Sequence, residues 1–376
     1  MKVAVLKEIT AGERRVPIVP ETVKRLAAKQ FEFSIQAGAG AQALFPDDDY
    51  RAAGASIGAG IKEADLVFKV QPPRLDEIAQ LHEGSALISL LYPLTNLDLV
   101  SALAKRRITA ISADMIPRTT LAQMMDVLSS QATLAGYRAV LLGASALPKL
   151  FPMLMTAAGT IPPAKILVLG AGVAGLQAIA TARRLGAVVE AFDVRKVVKE
   201  QVLSLGAKFI EVDSSEDAQT QSGYAKELSA EYKQKQTELI AKRLAAVDVC
   251  ITTALIPGQR APILISEDQV RGMKPGSVIV DLAAEQGGNC ALCEPGKDVV
   301  KHGVTIIGRL NLPSDLSTHA SQMYSRNMEK FLLHLAPSGA LKLDSKDEIT
   351  RSSLITHNGE VVHERVAALV TAKGAG

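Results

Sequence analysis

The segment "KILVLGAGVAGLQAIATARRLGAVVEAFDVR", residues 165–195, limits what this chain can fold into more than any other. An apolar run leads into Gly170, Gly172 and Gly175 in a G-x-G-x-x-G pattern, then a helix-forming stretch, a second apolar run and Asp193. That order fits a strand, a tight turn and a helix crossing back to a parallel strand. The first glycine permits the turn, the second lets another molecule approach the backbone, and the third lets helix and strand pack closely. The helix N-terminus attracts an anion, so the motif suits the pyrophosphate of a dinucleotide. Asp193, 23 positions after Gly170, stands where a carboxylate can accept from a ribose 2′-hydroxyl and repel a 2′-phosphate. Arg195 could serve a 2′-phosphate, but with Asp193 present the reading is NAD(H) rather than NADP(H).

The same alternation of short apolar runs and helical patterns extends in both directions. Before the motif stand "KVAVLK", a helix from Pro20, "FEFSIQAG", "LVFKV", "ALISLLY" and "ITAISAD"; after it come "KFIEV", "VDVCITTAL", "SVIVDLAA" and "VTIIGR". Two such series in 376 residues predict an α/β protein of two doubly wound, parallel-sheet, Rossmann-like domains. With 4% aromatic residues and no Trp, their cores must be aliphatic helix-on-sheet layers. Long bridging helices are expected between them, one from near Thr119 to the prolines of "GTIPPAK" and one over residues 315–336 returning to the first domain. The expected domains are residues 1–130 with 325–376, and a Rossmann NAD(H)-binding domain over residues 131–324. A polar interval, residues 211–238, reads as a candidate lid.

The remaining composition mostly excludes. With 42 basic and 39 acidic residues and no basic block interleaved with aromatics, nucleic acid is not an expected partner. Cys250, Cys290 and Cys293 cannot form a disulfide framework, and the C-x-x-C lacks a second pair or nearby His, so no metal site is expected. The N-terminus reaches Lys7 and Glu8 too soon for a signal-peptide core, and no apolar stretch attains the ~20 residues of a membrane span, so a cytoplasmic chain is expected. A substrate dehydrogenase usually needs a proton carrier, most often His, yet none of the six histidines sits in a motif connected to the nicotinamide. Gln123, Asp126 and Ser129 recur every three residues along the expected bridging helix, with Arg118 just before it. Spacing alone leaves open whether that side faces solvent or a cleft.

The segments "RTTLAQMMDVLSSQATLAGYRA", "MTAAGTIPPAKILVLGAGVAGLQAIATARRLGA", "GYAKE", "TTALIPG", "MKPGSVIVDLAAEQGGN" and "KEITAGERRVPIVPE" together resemble the NAD(H)-binding α subunits of the proton-translocating NAD(P) transhydrogenases. The resemblance implies that Arg118, Gln123, Asp126 and Ser129 surround the nicotinamide. It places Gly170, Gly172, Val173 and Gly175 on the pyrophosphate, and Asp193, Val194 and Arg195 on the adenosine. Gly223 and Tyr224 would belong to a loop closing over the nucleotide, and Leu255 would line the same cleft. The implied reaction is direct hydride transfer from NADH to NADP+ on a separate partner subunit. The implied partners are that NADP(H)-binding subunit, a membrane-embedded subunit that holds the chain peripheral to the membrane and carries the proton, and a second copy of this chain.

The alternative is an amino-acid dehydrogenase similar to alanine dehydrogenase, which shares the "KE...RV" motif with Arg15 and the "MKPG" segment. That family carries a Lys-x-Lys-Glu-Pro segment, a substrate-site His and an Asp before "QGG". Here the first reads "KVQPP" with Gln71 at the second Lys, Leu90 stands where the His is expected, and Glu285 replaces the Asp.

Overall fold

The computed structural model describes residues 1–374 except 59, 213–228 and 257. It divides into two compact units, Met1–Gln131 with Ser314–Gly376, and Ala132–Pro313. The first division falls inside one helix, Val127–Ala146. The second lies before the helix Ser317–Leu335, eleven residues ahead of the 325 read from the sequence. That helix contributes Tyr324, Met328, Phe331, Leu332 and Leu335 to the core of the first unit.

In chain order the first sheet begins with β1 (Lys2–Val5), β2 (Glu32–Ile35), β3 (Ser56–Ile57), β4 (Leu66–Phe68), β5 (Ala86–Ser89) and β6 (Thr109–Ser112). The second unit adds the hairpin β7 (Leu154–Thr156) and β8 (Gly159–Ile161). Its sheet holds β9 (Lys165–Leu169), β10 (Val188–Phe192), β11 (Lys208–Ile210), β12 (Val249–Thr252), β13 (Val278–Asp281), β14 (Asp298–Lys301) and β15 (Val304–Ile307). The chain then returns to the first sheet as β16 (Leu354–His357) and β17 (Glu360–Val361).

Both sheets are doubly wound. The first runs β17-β16-β6-β5-β4-β1-β2-β3 and the second β11-β10-β9-β12-β13-β15-β14. Each therefore has its first strand flanked by its second and fourth, the Rossmann arrangement. Ile166, Leu167, Val168 and Leu169 of β9 are all fully buried, because a parallel strand covered on both faces must be apolar throughout.

Three features depart from the expectation of purely parallel sheets. Strand β14 pairs antiparallel with β15, and β16 antiparallel with both β6 and β17. These strands lie at or beside sheet edges, where half-exposed sequence carries little apolar signal. The hairpin of β7 and β8 arises in the stretch where the prolines indicated only a break. The helix expected from Thr119 starts at Val127 instead, preceded by a 3-10 turn at Gln123–Met125 and by Asp126 in an extended conformation. The reason is local: Asp126 Oδ1 accepts from Ser129 N–H at 2.9 Å, which makes the aspartate the N-terminal cap.

Candidate functional site

In the second unit the strand order reverses at β9, so the carboxyl ends of β9, β10 and β12 form a topological switch point, the place where open α/β sheets bind ligands. Gly170 leaves β9 with φ +102°, a conformation that L side chains rarely adopt. A Cβ at Gly175 would collide with the Gly170 carbonyl oxygen and lie 2.9 Å from its carbonyl carbon, so the helix Val173–Arg184 sits directly on the turn. Gly172 is different: among the described residues a Cβ there would meet only Arg195 Nη2, at 3.9 Å. Gly172 is also the N-cap of that helix, and no side chain caps it. Open space over backbone, uncapped first-turn N–H groups and a guanidinium alongside fit the diphosphate of a dinucleotide.

Asp193, at the end of β10, is 8% exposed. Its Oδ2 accepts from Ala171 N–H at 2.7 Å and Arg195 Nη2 at 2.8 Å, and its Oδ1 accepts from Arg195 N–H and Nε, both at 2.9 Å. The carboxylate therefore holds the glycine turn from beneath and aims Arg195 toward Gly172, besides being placed for a ribose. Val173 is the first residue of the helix and exposed, and Val194 packs against the core beneath. Leu255 is exposed on the segment after β12. That segment is joined to the turn by Thr253, whose Oγ1 donates to Gly170 O at 3.0 Å. Gly223 and Tyr224 lie outside the described residues. Within this unit the fold thus brings together the glycines, Asp193 to Arg195 and Leu255, which are separated by up to 85 positions in sequence.

In the first unit, Ala122 and Met125 are buried in the core and anchor the turn that carries Gln123, which is exposed. Asn327 Nδ2 donates to Met124 O at 2.8 Å and holds the same turn. Asp126 Oδ2 accepts from Ser129 Oγ at 2.6 Å, so the serine hydroxyl donates inward and presents its oxygen as an acceptor. Arg118 is exposed on the connection that follows β6. Gln123, Asp126 and Ser129 are thus neighbours through a turn and a helix cap, not through a shared helix face.

A buried charged cluster lies in this unit as well. Glu13 grips Arg15 with both oxygens, at 2.8 and 2.6 Å, and Gln131 accepts from Arg15 Nη1 at 2.9 Å. Burial raises the Glu13 pKa, but the Arg15 hydrogen bonds and charge outweigh it and hold the carboxyl down at about 2. Gln71 donates to the same Glu13 at 2.9 Å. Lys69 is fully buried and pairs with Glu77 at 2.5 Å and Glu8 at 3.9 Å. Burial pushes Glu8 up to about 7 despite the Lys69 charge. Leu90 is a core residue, so its position offers no proton carrier. In the second unit Glu285 accepts from Asn311 N–H at 2.6 Å. Burial pushes the Cys290 and Cys293 thiols up to about 11 and about 12, which makes them poor nucleophiles.

Comparison with known proteins places this arrangement. The alanine dehydrogenase/PNT N-terminal domain matches residues 4–135, and the alanine dehydrogenase/PNT C-terminal domain matches residues 139–364. The chain is 51% identical over 376 residues to the first part of the NAD(P) transhydrogenase subunit alpha of Rhodospirillum rubrum, covering 96% of this chain and 98% of that protein. It superposes on the crystal structure of transhydrogenase from Sinorhizobium meliloti with a TM-score of 0.86 at 43% identity, covering 97% of this chain and 99% of that one. Alanine dehydrogenase of Bacillus subtilis is 29% identical, over 98% of this chain and 94% of that protein. The chain accordingly belongs to the alanine dehydrogenase/PNT family and, within it, to the NAD(P) transhydrogenase α subunits.

Proposed function

We propose that the chain binds NAD(H) and passes hydride between NADH and NADP+ held on a partner subunit. The observation that carries this reading is the switch point at β9, where open backbone at Gly172, the uncapped helix and the Asp193–Arg195 pair converge. When bound, the dihydronicotinamide supplies the hydride, which moves with its electron pair to the oxidised ring, so no proton is exchanged with a side chain. The protein's work is then to bind, orient and exclude water.

Gly170, Gly172, Val173 and Gly175 take the pyrophosphate in this reading, and Asp193, Val194 and Arg195 the adenosine. Leu255 lines the site, and Gly223 and Tyr224 close over it. Gln123 and Ser129 orient the nicotinamide, Ser129 as an acceptor because its hydroxyl hydrogen is donated to Asp126. Arg118 and Asp126 fix each other or the carboxamide.

Among the described residues no helix is long and apolar enough to cross a membrane. Proton translocation accordingly falls to a membrane-embedded partner, which this chain would meet peripherally, on the cytoplasmic side, together with the NADP(H)-binding subunit. A second copy of the chain is the further partner. The exposed Leu154, Met155 and Ile161 on the hairpin of β7 and β8 supply apolar surface for such a pairing.

The test mixes the purified chain with a separately expressed NADP(H)-binding transhydrogenase domain and follows hydride from NADH to a spectrally distinct NADP+ analogue. Transfer requiring both proteins, and reduced by Gln123→Asn, is expected. NADH binding without transfer refutes the reading. Oxidation of alanine by the chain alone would assign it to the dehydrogenase branch.

A further inference from the structure

Asn289 is fully buried and uses its whole amide. Oδ1 accepts from Ala254 N–H at 3.0 Å, while Nδ2 donates to Ala254 O at 2.9 Å and to Pro262 O at 2.8 Å. Flipping the amide would set oxygen against two carbonyls, so one orientation satisfies the set. Its backbone is equally engaged: the N–H donates to Asp281 Oδ2 at 2.7 Å, and the carbonyl accepts from Leu264 and Ile265 N–H at 2.8 and 3.0 Å.

Ala254 and Pro262 are the two ends of the segment that follows β12 and carries Leu255. One side chain therefore closes the neck of that segment. Thr253, immediately before it, is hydrogen-bonded to Gly170 O, so hydrogen bonds from Asp281 through Asn289 to Ala254, and from the adjoining Thr253 to Gly170, tie the segment to the glycine turn. The turn stands at the centre of the switch point, with Asp193 after β10 on one side and the Ala254 segment after β12 on the other.

We propose that Asn289 is a positioning residue for the dinucleotide, holding the β12 segment where it meets the half of the ligand beyond the pyrophosphate. The inference rests on the dinucleotide reading above. An adenine ribose at Asp193 and a diphosphate at the glycine turn direct the remaining half toward β12. Loosening the neck therefore weakens the whole dinucleotide and spares a ligand that stops at the diphosphate.

The experiment titrates the full chain calorimetrically with NADH and, separately, with ADP, for the wild type, Asn289→Ala and Asn289→Asp, with Tm recorded for each. Asn289→Asp keeps the side-chain size and the acceptor for Ala254 N–H but sets its second oxygen against the Ala254 and Pro262 carbonyls, so it removes both donors directly, and if either variant loses Tm the change in NADH Kd relative to that in ADP Kd still separates local from general loosening. Both variants are expected to raise the NADH Kd by about tenfold or more, the order expected from two lost buried donors, and the ADP Kd by less than about twofold. A general loss of structure would weaken both ligands by the same factor, and that outcome, like unchanged NADH binding, overturns the assignment of Asn289. A wild-type chain that binds neither ligand refutes the dinucleotide reading itself and this inference with it.

Discussion

Gly172 and Gly175 stand three residues apart in one turn, yet replacing each by alanine should do opposite things. At Gly175 the new Cβ would collide with Gly170 O and sit 2.9 Å from the Gly170 carbonyl carbon, where ordinary contact begins near 3.4 Å. Both atoms are backbone, so neither can rotate away, and the oxygen contact forces the helix Val173–Arg184 to retreat from β9 by roughly an ångström or more. Overpacking of this kind costs about 1–3 kcal/mol, and at 2–4 °C per kcal/mol for a unit of this size the Tm should fall by roughly 2–12 °C. At Gly172, φ is −76° and among the described residues the added methyl meets nothing closer than Arg195 Nη2. The loss is then a weaker N-cap, below about 1 kcal/mol. That methyl nevertheless occupies the space a diphosphate needs, so NADH affinity should fall at least about tenfold with Tm nearly unchanged. Differential scanning calorimetry and NADH titration on both variants check the pair. Refutation would come from Gly172→Ala binding NADH as well as the wild type does, or from Gly175→Ala keeping the wild-type Tm.

Asp193→Asn should weaken NADH and lower the ratio of NADPH to NADH dissociation constants, because the negative charge that repels a 2′-phosphate is gone; fluorescence titration with both nucleotides measures it. Asp126→Ala removes a helix cap and should cost about 1 kcal/mol, whereas Asp126→Asn should retain most of that stability, as read by urea unfolding. Glu8 sets a pH dependence: its folded pKa of about 7 lies above its ordinary 4.5, so its contribution to stability is fully present below pH 4.5 and is lost as pH rises through 7. Urea unfolding between pH 5 and 8 should show that fall, on the order of 1–3 kcal/mol, in the wild type and a flatter profile in Glu8→Gln. A wild-type profile as flat as that of Glu8→Gln would show that the buried carboxyl is not strained.

Much of this protein was legible in its residues alone. Apolar runs such as 166–169 suit covered parallel strands, and glycines at 170 and 175 are demanded by local sterics, so two Rossmann-like sheets and the turn between β9 and its helix follow from short-range rules. The edge strand β14 did not announce itself, and β16 and β17 gave only weak strand signals in the polar stretch from Asp344, because a strand at or beside a sheet edge needs no apolar run. The spacing of Gln123, Asp126 and Ser129 implied a helix face, but cap chemistry decided otherwise: a carboxylate able to accept from the third N–H ends the extended chain and starts the helix after itself. Tertiary structure alone also decided what Asp193, Thr253 and Asn289 do. Their partners, Ala171, Gly170 and Ala254, lie 22, 83 and 35 residues away. A hydrogen bond between groups so far apart in the chain leaves no periodicity to read; it exists only once the strands that carry both ends lie side by side.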